Sequence, residues 1–150
     1  MMENDNQSTA AEKEMQQKYM EYQMLEQQGK QIEKQLKQVD TQADEIDKIS
    51  ECIEDISKPE ASKKMFIPVS SGVYLQGEIS DPDTFLVNVG SNVLVKKTAS
   101  ETKELIVKQK GELERAKAQI MEEHSKIQSR MLVIERELMA YATAMGADEQ

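Results

Sequence analysis

The segment FLVNVGSNVLV, residues 85–95, decides the fold of this chain. Apolar residues alternate along it on both sides of a short stretch that contains Gly90 and Asn92. Alternation with a period of two is typical of β-strands, and Gly and Asn between two such runs indicate a tight turn, so the segment predicts a β-hairpin. The apolar residues expected to share a face within their strands are Phe85, Val87, Val89, Val93 and Val95.

A second hairpin is predicted immediately upstream. Residues 65–69 and 73–79 flank Ser70-Ser71-Gly72, and Asp81-Pro82-Asp83 is the expected turn between the two hairpins. Four short strands cannot bury a core of their own, and their open edges need partners. We therefore predict that this segment mediates oligomerisation. The residues assigned to that contact are Val73, Leu75, Phe85, Val87, Val89, Val93 and Val95.

The segments on either side of the hairpins predict long helices. Pro59, Pro68 and Pro82 are the three prolines of the chain, and all lie in the centre. Because proline disrupts helix interiors, the two flanking arms can each be helical throughout. The predicted division of the single domain is a polar N-terminal tail at 1–9, a coiled-coil helix at 10–58, the double β-hairpin at 59–99 and a second coiled-coil helix at 100–146.

Both arms carry a heptad pattern, in which apolar residues recur at alternating intervals of three and four and form one contact stripe. In the first arm the stripe is Leu25, Ile32, Val39, Ile46 and Ile53, with Met15, Tyr22, Gly29, Leu36, Ala43 and Ser50 as companions. In the second arm it is Ile106, Leu113, Ile120, Ile127, Ile134 and Tyr141, with Lys110, Lys117, His124, Met131, Leu138 and Met145. Each arm also begins with a candidate capping box, at residues 9–12 and 98–101.

Arms of equal length joined by a compact centre favour an antiparallel pair within one chain, with both far ends together. A parallel dimer of separate chains is the competing geometry. The predicted fold class is thus mainly α with a small β segment: a long antiparallel coiled-coil helical hairpin with two β-hairpins at its base.

Composition excludes several classes of function. The net charge is −9, and basic residues do not outnumber acidic ones in residues 1–58, 59–99 or 100–150. This argues against a nucleic-acid partner and against docking on an anionic membrane. No apolar run approaches the ~20 residues that span a bilayer, and the polar N-terminus is unlike a signal peptide. With Cys52 as the only cysteine, a cytoplasmic location is expected.

The residues do not predict an enzyme, a metal site or a cofactor. Gly72 and Gly77 have the interval of a phosphate-binding loop, but Glu78 stands where that loop requires Lys. His124 lies on the contact stripe without clustered partners, so we expect it to fix helix alignment rather than bind a metal. Cys52 is expected to be a packed thiol beside the stripe.

Methionine and tyrosine concentrate toward the far ends of the two arms. Flexible Met side chains suit surfaces that accept many shapes, and the apolar face there is wider than one partner helix can bury. Capture of apolar segments of other proteins is one interpretation; tightening of a fraying coil end is the other. The candidate client-binding residues are Met15, Tyr19, Met20, Tyr22, Met131, Leu132, Leu138, Met139, Tyr141 and Met145.

Over residues 10–145 the sequence resembles the archaeal prefoldin α subunit. Residues 65–69, Tyr74 and residues 77–79 are similar to that family's first hairpin, and residues 85–90 to its second, with a V-x-V-G pattern that ends at Gly90. The resemblance implies a hexamer of two α and four β subunits that binds unfolded proteins without ATP at the ends of its coiled coils. It also implies transfer to a group II chaperonin. A purely structural coiled-coil assembly or filament protein is the alternative.

Overall fold

The computed structural model describes residues 2–59 and 63–147, with side chains described over 10–59 and 63–144. Two long helices enclose four strands in sequence, which confirms the predicted helix, double hairpin and helix. The elements are α1 (Met2–Ser57), β1 (Lys64–Ser70), β2 (Val73–Glu78), β3 (Thr84–Asn88), β4 (Leu94–Thr98) and α2 (Ala99–Ala147). No helix over the described residues contains a stretch long and apolar enough to cross a membrane.

The start of α1 differs from the prediction. The helix begins at Met2 rather than near residue 10, so the candidate capping box at residues 9–12 lies inside it. Residues 1–9 contain neither Pro nor Gly, and a helix that is already formed extends at little cost through such residues. The end of α1 at Ser57 agrees with the expected stop before Pro59.

The second capping box is confirmed at the start of α2. The backbone N–H of Glu101 donates to Thr98 Oγ1 at 3.2 Å, and the N–H of Thr98 donates to the Glu101 carboxylate at 2.9 Å. The second of these bonds holds the pKa of Glu101 below its ordinary value. Two amide donors at the helix start are thereby satisfied by a reciprocal pair of side chains.

The chain divides into two compact units, which we name the helical unit (residues 1–39 and 116–150) and the hairpin unit (residues 40–115). In the helical unit α1 and α2 contact each other in antiparallel order, since Lys18 pairs with Glu137 and Glu33 lies opposite His124. Ile32 and Ile134 are buried on the stripe between the helices. This within-chain contact decides against the parallel dimer.

The stripe expected from the heptads is confirmed in both units. All its predicted members with described side chains are buried or half-buried, whereas their immediate neighbours are mostly exposed. In the hairpin unit Ile53, Ala99 and Ile106 form the buried core, and Ile46 and Phe85 pack against it. The amino group of Lys110 also pairs with the Asp47 carboxylate across the helices of this unit.

The strands form two separate antiparallel sheets, β1 with β2 and β3 with β4. In the first sheet Ile67 pairs with Leu75, and the ladder shifts between Pro68 and Ser70. In the second sheet Val87 pairs with Val95.

The turns of both hairpins depend on backbone that favours glycine. Gly72 and Gly90 have φ values of 77° and 115°, as the predicted turns require. The predicted turn between the hairpins is also confirmed, because Asp81 accepts hydrogen bonds from the N–H of Asp83 and the hydroxyl of Thr84.

Candidate interaction surfaces

The first hairpin presents apolar side chains on both of its faces. Phe66 and Tyr74 share one face by the strand register, and Ile67 and Leu75 share the other. All four side chains are exposed, as are Val69 and Val73. A two-stranded sheet that covers neither of its apolar faces is at best marginally stable alone. Both apolar faces of the first hairpin are therefore uncovered within the chain.

Gly77 allows a close contact within this hairpin. A Cβ atom at this position would lie 2.6 Å from Ile67 Cδ1, so a side chain there would displace Ile67. Because a heavy-atom contact of that length is far inside van der Waals separation, glycine at this position leaves room for the Ile67 side chain beside the β2 backbone.

The second hairpin has one covered and one open face. Phe85 is half-buried against the Ile53 core, and Val87 is half-buried on the same face. Leu86 and Leu94 lie on the opposite face and are both exposed. The remaining residues assigned to oligomerisation, all exposed, are Val73, Leu75, Val89, Val93 and Val95.

The sequence analysis did not include Leu86 and Leu94 among the residues assigned to oligomerisation, because it considered only one face of each strand. Phe66, Ile67 and Val69 were missed as well. The signal was present in the sequence, because both faces of these strands carry apolar residues and only one can contact the chain's own core.

In the helical unit, polar contacts surround part of the stripe. The Lys18 ammonium donates to Glu137 at 2.8 Å and lies 5.6 Å from the centre of the Tyr141 ring. The Tyr141 hydroxyl donates to Glu14 Oε2 at 2.9 Å. The hydrogen bond to Glu137 raises the pKa of Lys18, and that to Glu14 raises the pKa of Tyr141. Tyr141 is therefore part of the contact between the helices.

Further along the unit, Arg130 binds the Glu21 carboxylate with two nitrogens, at 2.8 and 3.1 Å. This bidentate contact holds the pKa of Glu21 below its ordinary value. Tyr22 donates to Glu135 at 3.4 Å, and the charge of Glu135 raises the pKa of Tyr22. The tyrosines on the stripe thus have polar partners across the helix pair.

The structure divides the candidate client-binding residues into two groups. Four are exposed: Tyr19, Met20, Leu132 and Met139. Five are half-buried on the stripe between the helices: Met15, Tyr22, Met131, Leu138 and Tyr141. The side chain of Met145 lies outside the described residues. The first group is exposed without separation of the helices, whereas the facing helix leaves the second group only partly accessible.

Three more exposed apolar side chains of the helical unit were not among the candidate client-binding residues, namely Met24, Met121 and Val133. All three lie off the contact stripe. Subtracting the heptad positions from the apolar residues of each arm would have identified them, since an apolar residue outside the stripe has no partner on the facing helix.

The predicted positions of the single histidine and the single cysteine can be compared with the structure. His124 lies half-buried on the predicted stripe, with Nε2 3.8 Å from a Glu33 oxygen. Cys52, in contrast, is exposed, so the expected packed thiol is wrong. The buried neighbour Ile53 occupies the stripe position, and Cys52 lies outside the stripe.

Comparison with known proteins agrees with this architecture. The family model described as Prefoldin subunit matches residues 25–143. "Prefoldin subunit alpha" of Thermofilum pendens is 38% identical over 82 residues, 55% of this chain and 64% of that protein. The protein of that name in Methanobrevibacter smithii is 38% identical over 53 residues, 35% of this chain and 36% of that protein. Human "Prefoldin subunit 5" is 25% identical over 96 residues, 61% of this chain and 62% of that protein.

Each of these matches spans less than two thirds of the relative's length. The family model, however, covers most of the 150 residues, including the hairpins and the greater part of both helices. The resemblance to archaeal prefoldin α subunits is confirmed by two relatives of that description. The chain belongs to the prefoldin subunit family.

Proposed function

We propose that this chain is a subunit of an ATP-independent chaperone that captures unfolded proteins and delivers them to a group II chaperonin. The observation that carries the proposal is the set of exposed apolar side chains off the contact stripe of the helical unit. Such side chains serve no purpose in holding two helices together, and they offer apolar area to another chain. The proposal includes no catalytic step and no cofactor, and it takes the cytoplasm as the location.

Assembly through the hairpin unit is the first part of the proposal. The partners are prefoldin β subunits, and the expected stoichiometry is two α and four β subunits. Support comes from the two open faces of the first hairpin and the open face of the second, which carries Leu86 and Leu94. Burial of such surface yields about 25 cal/mol per Å², so several strands that join their faces can offset the loss of freedom on assembly.

Client capture through the helical unit is the second part. Met20 and Met24 are one turn apart on α1, and Leu132 and Met139 are two turns apart on α2, so each pair can contact one apolar segment of a client. A single contact of this size is weak. Several subunits of one assembly that hold the same client raise the effective affinity without further contacts.

The experiment that tests assembly is native mass measurement. The chain is mixed with its cognate β subunits, and the mass of the complex gives the stoichiometry. Substitution of Leu86 and Leu94 by Asp is expected to prevent assembly, because the charges would be placed in the buried contact. Asp substitutions at two exposed polar positions, Gln17 and Gln23 on α1, are the control and should leave the mass unchanged. A normal complex with the leucines replaced would refute the assigned surface.

The experiment that tests capture is suppression of client aggregation by the complex in the absence of ATP. Replacement of Met20, Met24 and Met139 by Ser should reduce it severalfold, because three of the seven exposed large apolar side chains described in the helical unit are lost. Replacement of the exposed neighbours Gln17 and Gln23 by Ser is the matched control. If the unchanged complex does not suppress client aggregation, and replacement of the methionines by Ser alters the native mass, the structural coiled-coil alternative is correct.

Delivery is supported by family membership alone and has its own test. A labelled client held by the complex should pass to an added group II chaperonin, as judged by its elution with the larger particle. Retention of the client by the complex at saturating chaperonin would refute delivery and leave capture intact.

A further inference from the structure

The exposed apolar surface of the helical unit is unusually rich in methionine. Among the described side chains of this unit, the exposed large apolar ones are Tyr19, Met20, Met24, Met121, Leu132, Val133 and Met139. The four methionines have exposed fractions of 51%, 63%, 54% and 67% in the order of the chain. The whole chain has two Phe and no Trp, so methionine supplies much of the apolar surface that aromatic residues provide at other contact sites.

Methionine differs from the other apolar residues because its side chain can be oxidised and then reduced back to its original form. A peroxide transfers one oxygen atom to the thioether sulfur: the O–O bond breaks, a sulfur–oxygen bond forms, and water leaves when the oxidant is hydrogen peroxide. The sulfur loses two electrons and the peroxide gains them. The product, methionine sulfoxide, is polar and chiral, and methionine sulfoxide reductases restore the thioether with electrons from a thiol.

The exposed methionines lie at different positions from the methionines that contribute to the contact between the helices. Met15 and Met131 are half-buried on the stripe between the helices, where the facing helix restricts access. Met20, Met24, Met121 and Met139 lie off that stripe, so a polar sulfoxide there is solvated and leaves the helix contact in place. Oxidation of exposed methionines therefore changes what the surface binds without removing an interaction that holds α1 to α2.

We propose that Met20, Met24, Met121 and Met139 form an oxidant-responsive modification site through which peroxide reversibly turns off client capture. The inference rests on the proposed holdase function and adds a mode of regulation to it. Each sulfoxide removes one apolar contact, so clients held through several of them are released on oxidation and held again after reduction.

The test uses the assembled complex with two versions of this chain. In one the four methionines are native; in the other all four are replaced by Leu, which preserves size and apolar character but cannot be oxidised. Both complexes are treated with hydrogen peroxide, the excess is removed, and client aggregation, native mass and the sulfoxide content of each peptide are measured. A portion of each is then treated with methionine sulfoxide reductase.

The native complex is expected to lose holding by at least about tenfold, since several apolar contacts are lost together. Its mass should be unchanged. Sulfoxide should form at the four exposed methionines before it forms at Met15 and Met131. Treatment with the reductase should restore holding. Holding by the Leu version, whatever its level before treatment, should not change on exposure to peroxide.

Two results would overturn the inference alone: a native complex that holds clients fully after oxidation of all four residues, or a Leu version that loses as much holding as the native one. Absence of holding by the native complex before peroxide would instead refute the proposed function, and the regulation with it.

Discussion

Replacement of Ile134 by Ala measures how much of the helical unit's stability lies in its stripe. Ile134 is fully buried, with 0% exposure. The change removes three carbons, which corresponds to about 2.4 kcal/mol at roughly 0.8 kcal/mol per buried CH₂. A cavity would add to this, but a stripe bordered by solvent can partly close it, so we expect a loss of about 2–3 kcal/mol in the free energy of unfolding.

Leu132, two residues earlier on the same helix, provides the matched control. Its replacement by Ala removes the same number of carbons from a side chain that is 55% exposed, and the loss should stay below about 1 kcal/mol. The two variants are compared by urea unfolding of the assembled protein, followed by far-ultraviolet circular dichroism. Client holding should respond in the opposite order, with Leu132→Ala affecting it more. Equal losses of stability would show that the stripe between the helices is placed wrongly.

Three further predictions concern the other contacts. Joint replacement of Val87 and Val89 by Asp places charge on the covered face of the second hairpin, so it should disturb that hairpin and thereby abolish assembly while most of the helical circular dichroism signal persists; a complex of unchanged mass would contradict this. Glu101→Ala should lower the thermal midpoint by removing the carboxylate half of the capping box, whereas Glu101→Gln, which can still accept the hydrogen bond, should lower it less. The pair of Glu21 with Arg130 stabilises the helical unit above the unfolded-state pKa of about 4.3, and this contribution is lost as pH falls through the lower folded-state pKa. Thermal midpoints of Glu21→Gln should therefore fall less between neutral and acidic pH than those of the unchanged protein; parallel pH profiles would refute the assignment.

Much of the fold could be predicted because periodicity reports burial directly. The intervals of three and four identified the stripe in both arms, and Ile32, Ile53, Ile106 and Ile134 are buried as expected. Alternation with turn residues located both hairpins. The antiparallel pairing within one chain followed from arm length, and Lys18 with Glu137 confirms it.

Other features could not be obtained from local patterns. A capping box inside a continuous helix looks the same as one at a helix start, so the start of α1 was predicted too late. Enrichment in apolar residues identified the region of the candidate client-binding surface but did not separate Met20, which is exposed, from Met131, which lies on the stripe. That separation depends on which side of a helix faces its partner.

The cross-helix ion pairs have a consequence for how the two arms find each other during folding. A repeating apolar stripe can be matched equally well after displacement by one heptad, so apolar contacts alone leave several competing alignments. Displacement by seven residues in one direction would bring Lys18 opposite Arg130 instead of Glu137. Displacement in the other would bring Glu21 opposite Glu137 instead of Arg130. Either mismatch replaces attraction by repulsion, and the charges thereby select one alignment from a degenerate set.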